Sequence, residues 1–279
     1  MKGPPPDWPN AAHSRHVAGV HRWHVQEMGA GPVAMLIHGA GGATHSWRGL
    51  VPLLSGSYRI VALDLPGQGF TTRGARGREG LDAVAADIAA LAQGEGWAPH
   101  AVIGHSAGAA VALRLAQALR PARVACVNAA LGDFPGLAGL LFPAMAKLLA
   151  ANPLTALTVS ALATRRGAEG IIRSTGSTID AAGLDCYARL FADRGHVDAT
   201  LRMMARWSLT ALRRDLPGIG VPTLLVTGEG DAAVPPSVSD EAAAMMPDAA
   251  VRHLPGLGHL AHEEAPDRVA REILPFLAS

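Results

Sequence analysis

Three short segments of the 279-residue chain carry the residue types needed to attack an acyl carbon. Gly104-His105-Ser106-Ala107-Gly108 fits G-x-S-x-G, with an apolar run before it and a helical pattern after it. In that strand-turn-helix context a strained turn pushes a serine hydroxyl out of a sheet, and the glycines let the helix pack close to the strand. A serine hydroxyl is a weak nucleophile until a base takes its proton and a carboxylate orients the base. Gly228-Glu229-Gly230-Asp231 follows the apolar run 223–226, and Gly256-Leu257-Gly258-His259 follows the run 251–254. Ser106 is therefore the expected nucleophile, His259 the base and Asp231 the carboxylate. Asp133 is a rival acid after the run 124–127, but it sits several residues beyond that run, and the nearer Asn128 cannot serve as a carboxylate. His262 competes with His259; the glycines before His259 suit a tight loop, and His262 is expected to satisfy local hydrogen bonds.

A tetrahedral intermediate also needs donors for its oxyanion. His38-Gly39-Ala40-Gly41-Gly42 follows the run Val33–Ile37 and reads as a loop that turns backbone N–H groups toward a substrate oxygen. The expected donors are the N–H groups of Ala40 and of Ala107, the residue after the nucleophile. A phosphate-loop reading fails, because neither G-x-x-x-x-G-K-[ST] nor G-x-G-x-x-G occurs here. His38 is expected to be a structural hydrogen-bonding group, and Asp64-Leu65-Pro66-Gly67-Gln68-Gly69 a sharp structural turn. Twelve histidines raise the question of a metal. The pair His13/His16 lies in a poorly patterned tail, and His21/His24 would point to opposite faces of a strand. No H-E-x-x-H occurs and two cysteines are too few for zinc, so no metal site and no cofactor are expected.

The elements that must position these groups follow from hydrophobic patterning. Apolar runs at Val33–Ile37, 60–63, 101–103, 124–127, 223–226 and 251–254 do not alternate with polar residues, as suits parallel strands buried on both faces. Residues 16–20 and 22–27 look like an antiparallel pair. Helical patterns at 81–93, 107–119 and 267–277 lie between or after the runs, which implies βαβ units and a mostly parallel sheet with helices on both faces. From 131 to 216 there is helical pattern without a strand run. The expectation is an α/β core of residues 1–130 and 217–279 with a helical cap of 131–216 inserted over the carboxyl edge of the sheet. Cap residues such as Met145, Leu148, Leu157, Tyr187, Phe191 and Trp207 are apolar. Most should pack as core, but some must roof the site, so a hydrophobic substrate is expected, with Trp47 and Trp207 as binding candidates. Arg165 and Arg166 form a small basic spot.

Composition narrows the partners. Apolar residues make up 49% of the chain, enough for a large core, and this excludes intrinsic disorder. A net charge of +1 with no basic block excludes a nucleic-acid footprint. The N-terminus, MKGPPPDWPN, lacks a signal-peptide core, and the longest apolar stretch is too short and broken to span a bilayer, so a cytoplasmic protein is expected. Cys126, in an apolar run, reads as a small buried hydrophobe, and with Cys186 it forms no disulfide framework.

The order Ser106, Asp231, His259 resembles that of the α/β-hydrolase superfamily, and the motifs fit it throughout. More narrowly, HSWR at 45–48, DLPGQGFT at 64–71, GHSAGAA at 104–110, ANPL at 151–154, GST at 176–178 and GLGHLAHEE at 256–264 resemble the magnesium-chelatase accessory family of bacteriochlorophyll biosynthesis in phototrophic bacteria. The resemblance runs from about residue 8 onward. It implies an α/β-hydrolase fold, a link to magnesium insertion into a tetrapyrrole, and chelatase subunits as partners. The residues imply an esterase-like serine hydrolase; the competing reading is a non-catalytic tetrapyrrole-binding or chelatase-accessory protein with a vestigial triad. Dehalogenase or epoxide-hydrolase chemistry is disfavoured, since those relatives carry Asp at the elbow.

Overall fold

The computed structural model describes residues 3–132, 158, 160 and 164–279. Among them β1 (Ser14–Ala18), β2 (Arg22–Met28), β3 (Val33–Ile37), β4 (Arg59–Leu63), β5 (Pro99–His105), β6 (Arg123–Val127), β7 (Thr223–Gly228) and β8 (Ala249–Leu254) form one sheet. Its order is β1-β2-β4-β3-β5-β6-β7-β8. The first two strands are antiparallel to each other and β2 is antiparallel to β4; every other pairing is parallel. The α/β expectation holds. The antiparallel pair begins at Ser14 and not at residue 16, because its register pairs Ser14 with Gln26 and closes at Ala18 opposite Arg22.

The continuous apolar runs have the anticipated cause. Side chains alternate across a strand, and here both faces are covered. Met35 and Ile37 pack in one layer with α2 (Leu81–Gly94) and α3 (Ala107–Leu119), through Val84, Ile88, Val111 and Leu115. Ala34 and Leu36 pack in the opposite layer with α1 (Val51–Leu54), through Val51 and Leu54. The run 251–254 is the exception. As the edge strand β8 it has one neighbour, and Arg252 and His253 are exposed. The cysteines behave as buried apolar groups: burial pushes the Cys126 thiol up to about 12.

Between β6 and β7 the described residues hold α4 (Arg165–Ser174), α5 (Ala181–Ala192), α6 (Arg194–Arg206) and α7 (Thr210–Asp215), and no strand. Three of these helices start at side-chain caps: Thr164, Asp180 and Asp193 accept from the N–H groups of Gly167, Gly183 and His196. After β7 come α8 (Ser237–Met245), α9 (Ala261–Glu264) and α10 (Pro266–Ala278). Met145, Leu148, Leu157 and the rival acid Asp133 lie outside the described residues. Among the described residues no helix is long and apolar enough to cross a membrane.

Candidate active site

Because β3, β5, β7 and β8 run parallel, the loops after them meet at one edge of the sheet. Ser106 follows β5 directly, at φ 51 and ψ −116. A positive φ in a non-glycine residue costs about 1–3 kcal/mol and persists only where the surroundings enforce it. Here Ser106 N–H donates to Val127 O at 3.0 Å, and Ser106 O accepts from Ala109 N–H and Ala130 N–H. The flanking glycines are sterically required. A Cβ at Gly104 would lie 2.2 Å from Gly108 O, and one at Gly108 would lie 2.1 Å from Ile37 O.

Asp231, in the loop after β7, is buried and fully engaged. Its Oδ1 accepts from Ala233 N–H and Val234 N–H, each at 2.8 Å. Its Oδ2 accepts from Asn128 Nδ2 at 2.8 Å and from His259 Nδ1 at 2.7 Å. With Nδ1 engaged by this carboxyl group, Nε2 is the ring nitrogen left free of it. Ser106 and His259 line one cavity. Asn128, passed over as a carboxylate, instead steadies Asp231 from its own strained position at φ 46.

Two further supports were not foreseen from the sequence. His105 is fully buried; burial and then the neighbouring imidazoles of His262 and His259 push it well below its ordinary value, so it is neutral. Its Nε2 donates to His259 O at 2.9 Å, tying the histidine loop to β5. The second support comes from the end of α4. Thr175 O accepts from both Ala232 N–H (3.1 Å) and His259 N–H (3.3 Å), and Ser177 Oγ accepts from Leu260 N–H at 2.8 Å. The backbone at 175–177 is thus a strap across the Asp231 and His259 loops. The approach is close enough that a Cβ at Gly176, itself at φ 83, would lie 2.0 Å from Gly230 O. The GST motif at 176–178 was the only sequence signal, and it carried no chemistry that could be read locally.

The loop after β3 lies against Ser106: a Cβ on Gly39 would sit 3.0 Å from Ser106 Cβ. His38 has the structural role expected of it. Its Nε2 accepts from Leu65 N–H at 3.0 Å, which places its proton on Nδ1, directed to Gly39 O. Ala40 lines the cavity, and Ala107 heads α3, where the first N–H groups have no partner within the helix. Asp64 is buried; burial would raise its carboxyl, but His24, then His38 and the Phe70 N–H, hold it down to about 2, and Thr44 N–H also donates to it.

The cavity encloses about 280 Å³. Its apolar wall is Ile171, Ile172, Tyr187, Phe191, Val197 and Leu201, from α4, α5 and α6, and no charged side chain among the described residues lines it. The tryptophan expectations need correction, because neither ring reaches this cavity. Trp47 is fully buried under the other layer, 4.7 Å from the His262 ring, and Trp207 packs against the layer of α2 and α3. His262 bonds far from home in sequence, with Nε2 2.8 Å from Ser46 Oγ. Arg165 pairs with Asp185 at the surface, away from the cavity. Among the described residues no group of three His, Cys, Asp or Glu converges as a metal site would require.

Comparison with known proteins agrees with the architecture. A family model described as "Alpha/beta hydrolase family" matches residues 34–272. The magnesium-chelatase 30 kDa subunit of Rhodobacter capsulatus is 45% identical over 277 residues, 98% of this chain and 97% of that protein. A pimeloyl-[acyl-carrier protein] methyl ester esterase of Xanthomonas oryzae pv. oryzae is 29% identical across 92% of this chain and 99% of its own length. An esterase structure from Thermogutta terrifontis superposes with a TM-score of 0.73 at 23% identity, covering 92% of this chain and 93% of that one, a likeness of fold alone.

Proposed function

The chain belongs to the alpha/beta hydrolase family, and from that premise we propose that it is a serine hydrolase cleaving an ester, or a related acyl bond, of an uncharged apolar substrate. The observation that carries this reading is the Asp231–His259 hydrogen bond, 2.7 Å, at the rim of a cavity that Ser106 and Ala40 also line. His259 Nε2 takes the Ser106 proton as Oγ adds to the carbonyl carbon. The oxyanion is met by the N–H groups of Ala40 and Ala107. His259 then protonates the leaving alcohol, leaving an acyl-serine. Water, deprotonated by the same imidazole, releases the acid and restores Ser106. Asp231 holds the imidazole in the productive tautomer throughout, and no step calls for a metal or a cofactor.

The absence of lining charge among the described residues supports a neutral substrate, since an ionised group there would lose hydration without a partner. About 280 Å³ is near the lower end for ligand sites. A tetrapyrrole, the ligand that the family resemblance implies, would therefore insert an ester arm and not its ring. In the same reading residues 131–216 form the cap over a core of 1–130 and 217–279, and magnesium-chelatase subunits are partners.

One observation favours a second reading: a relative 45% identical over 98% of this chain is named for a chelatase subunit and not for a hydrolase. A pure accessory role would leave Ser106 unreactive. A fluorophosphonate probe followed by mass mapping separates the two. Labelling at Ser106, lost in Ser106→Ala together with hydrolysis of activated esters, supports the hydrolase. An unlabelled, inactive wild-type protein supports the accessory role.

A further inference from the structure

We infer that His196, at the start of α6 and 155 residues from its partner Gly41, is the positioning residue for the oxyanion loop of the proposed hydrolase. The inference rests on the serine-hydrolase reading of this site. The loop is a turn closed by Gly42 N–H donating to Gly39 O at 3.1 Å, with Ala40 and Gly41 in its middle. Gly41 has φ +78 in the third position, as a type II turn requires. A rotation of either peptide plane of Gly41 would reshape the turn that carries the Ala40 N–H. Both polar groups of Gly41 are pinned by side chains. Its N–H donates to Gln68 Oε1 at 2.8 Å, and its carbonyl accepts from His196 Nε2 at 3.1 Å.

The tautomer of His196 is settled by its other nitrogen. Nδ1 accepts from Gly69 N–H at 3.0 Å, so Nε2 carries the proton and can only donate to Gly41 O. Burial, and then the imidazole of His38, push its pKa down to about 4, which keeps the ring neutral and this pattern of donor and acceptor intact in neutral solution. One neutral ring thereby ties three segments together: the oxyanion loop, the turn at 64–69 and α6.

The rest of α6 is fitted to the same two loops. Gln68 Nε2 donates to Met203 Sδ at 3.0 Å, and a Cβ on Gly67 would lie 2.6 Å from Ala199 Cβ. Val197, Thr200 and Leu201 of the same helix line the cavity. The helix that lines the cavity is thus the helix that sets the loop. Removing one oxyanion donor typically costs 10²–10³ in kcat; loosening the loop that presents a donor should cost less, about 10–100-fold.

The test compares His196→Leu and His196→Gln with the parent full-length protein. The assays are steady-state hydrolysis of p-nitrophenyl butyrate and inhibition by a trifluoromethyl ketone, whose adduct places an oxyanion in the loop. For His196→Leu we expect kcat to fall about 10–100-fold with KM within about twofold, and ketone affinity to fall by a similar factor. His196→Gln, which offers one acceptor and one donor, should recover most of the loss. An unchanged kcat in His196→Leu overturns the inference. So does a loss shared equally by kcat and KM that the glutamine does not rescue, since that is the mark of packing alone. If His196→Leu does not fold, His196→Asn, polar but shorter, is read by the same criteria. Absence of Ser106-dependent turnover in the parent protein would remove the hydrolase reading itself, and the role of His196 with it.

Discussion

A single residue type in the right company is weak evidence of chemistry, and this chain contains its own control. Ser14, His24 and Asp64 form a second Ser–His–Asp chain: Ser14 Oγ lies 3.0 Å from His24 Nε2, and His24 Nδ1 lies 2.7 Å from Asp64 Oδ2. Ser14 also accepts from Gln26 Nε2, its cross-strand neighbour, and it does not line the cavity of Ser106. What sets Ser106 apart is the strained elbow, the glycine loop against its Cβ and an apolar cavity beside it. A fluorophosphonate probe should therefore modify Ser106 and leave Ser14 unmodified; peptide mapping that places the adduct on Ser14 would refute this. Ser106→Ala should cut turnover by several orders of magnitude. Asp231→Asn should lower kcat by about 10³–10⁴ while substrate binding persists, because the amide can stabilise the wrong imidazole tautomer.

Among the elements, the described helices between β6 and β7 do more than line the cavity. The strap at 175–177 fills backbone positions that the acid and base loops need, and α5 is anchored to the core by a buried cluster. Tyr187 Oη and Ser46 Oγ each donate to Glu263 Oε1 at 2.7 Å, and Arg48 pairs with Glu263 and, at 2.7 Å, with Asp180. Gly176→Ala would force a Cβ into Gly230 O at a left-handed φ. The expected result is a loss of at least about tenfold in kcat/KM, because small misplacements of catalytic groups are expensive. Ser177→Ala, which leaves Leu260 N–H without its acceptor, should be milder. Kinetics at wild-type levels in Gly176→Ala would show that the strap does not set the loops.

For the whole molecule, the buried histidines make acid the vulnerable direction. Burial pushes His196 to about 4; burial, with His259 and Arg48 nearby, pushes His262 to about 3; His45 and His105 lie well below the ordinary 6.5. Each is neutral in the folded chain but takes a proton when unfolded once the pH drops past 6.5. Their stabilisation is thus fully present above 6.5 and is lost as the pH falls toward those lower values. For His196 the interval from 6.5 to about 4 corresponds to on the order of 3 kcal/mol. Asp64, ordinarily 3.8 and held at about 2, adds a loss only below 3.8. Glu263 acts oppositely: burial raises its carboxyl despite Arg48, Ser46 and Tyr187, so it favours the folded state as the pH falls. With one such group against several histidines, the melting temperature should be flat from pH 8 to 7 and drop by more than about 5 °C by pH 4.5. A constant value across that range would contradict the neutral buried imidazoles.

The alternation of strands and helices, the elbow, and the positions of Asp231 and His259 after their strands were legible in the chain itself. Each depends on residues within a few positions of one another, where side-chain period, glycine sterics and turn geometry act locally. What covers the site was legible only in part. Tyr187 and Phe191 stood among the apolar residues of which some had to roof the site, and both line the cavity, whereas packing placed Trp47 and Trp207 in the two layers of the core and added α4 and α6 side chains to the wall. Likewise His196 meets Gly41 across 155 residues, and Thr175 meets His259 across 84. No local pattern encodes such pairings; they exist only once helices dock on a sheet and buried donors and acceptors must find one another.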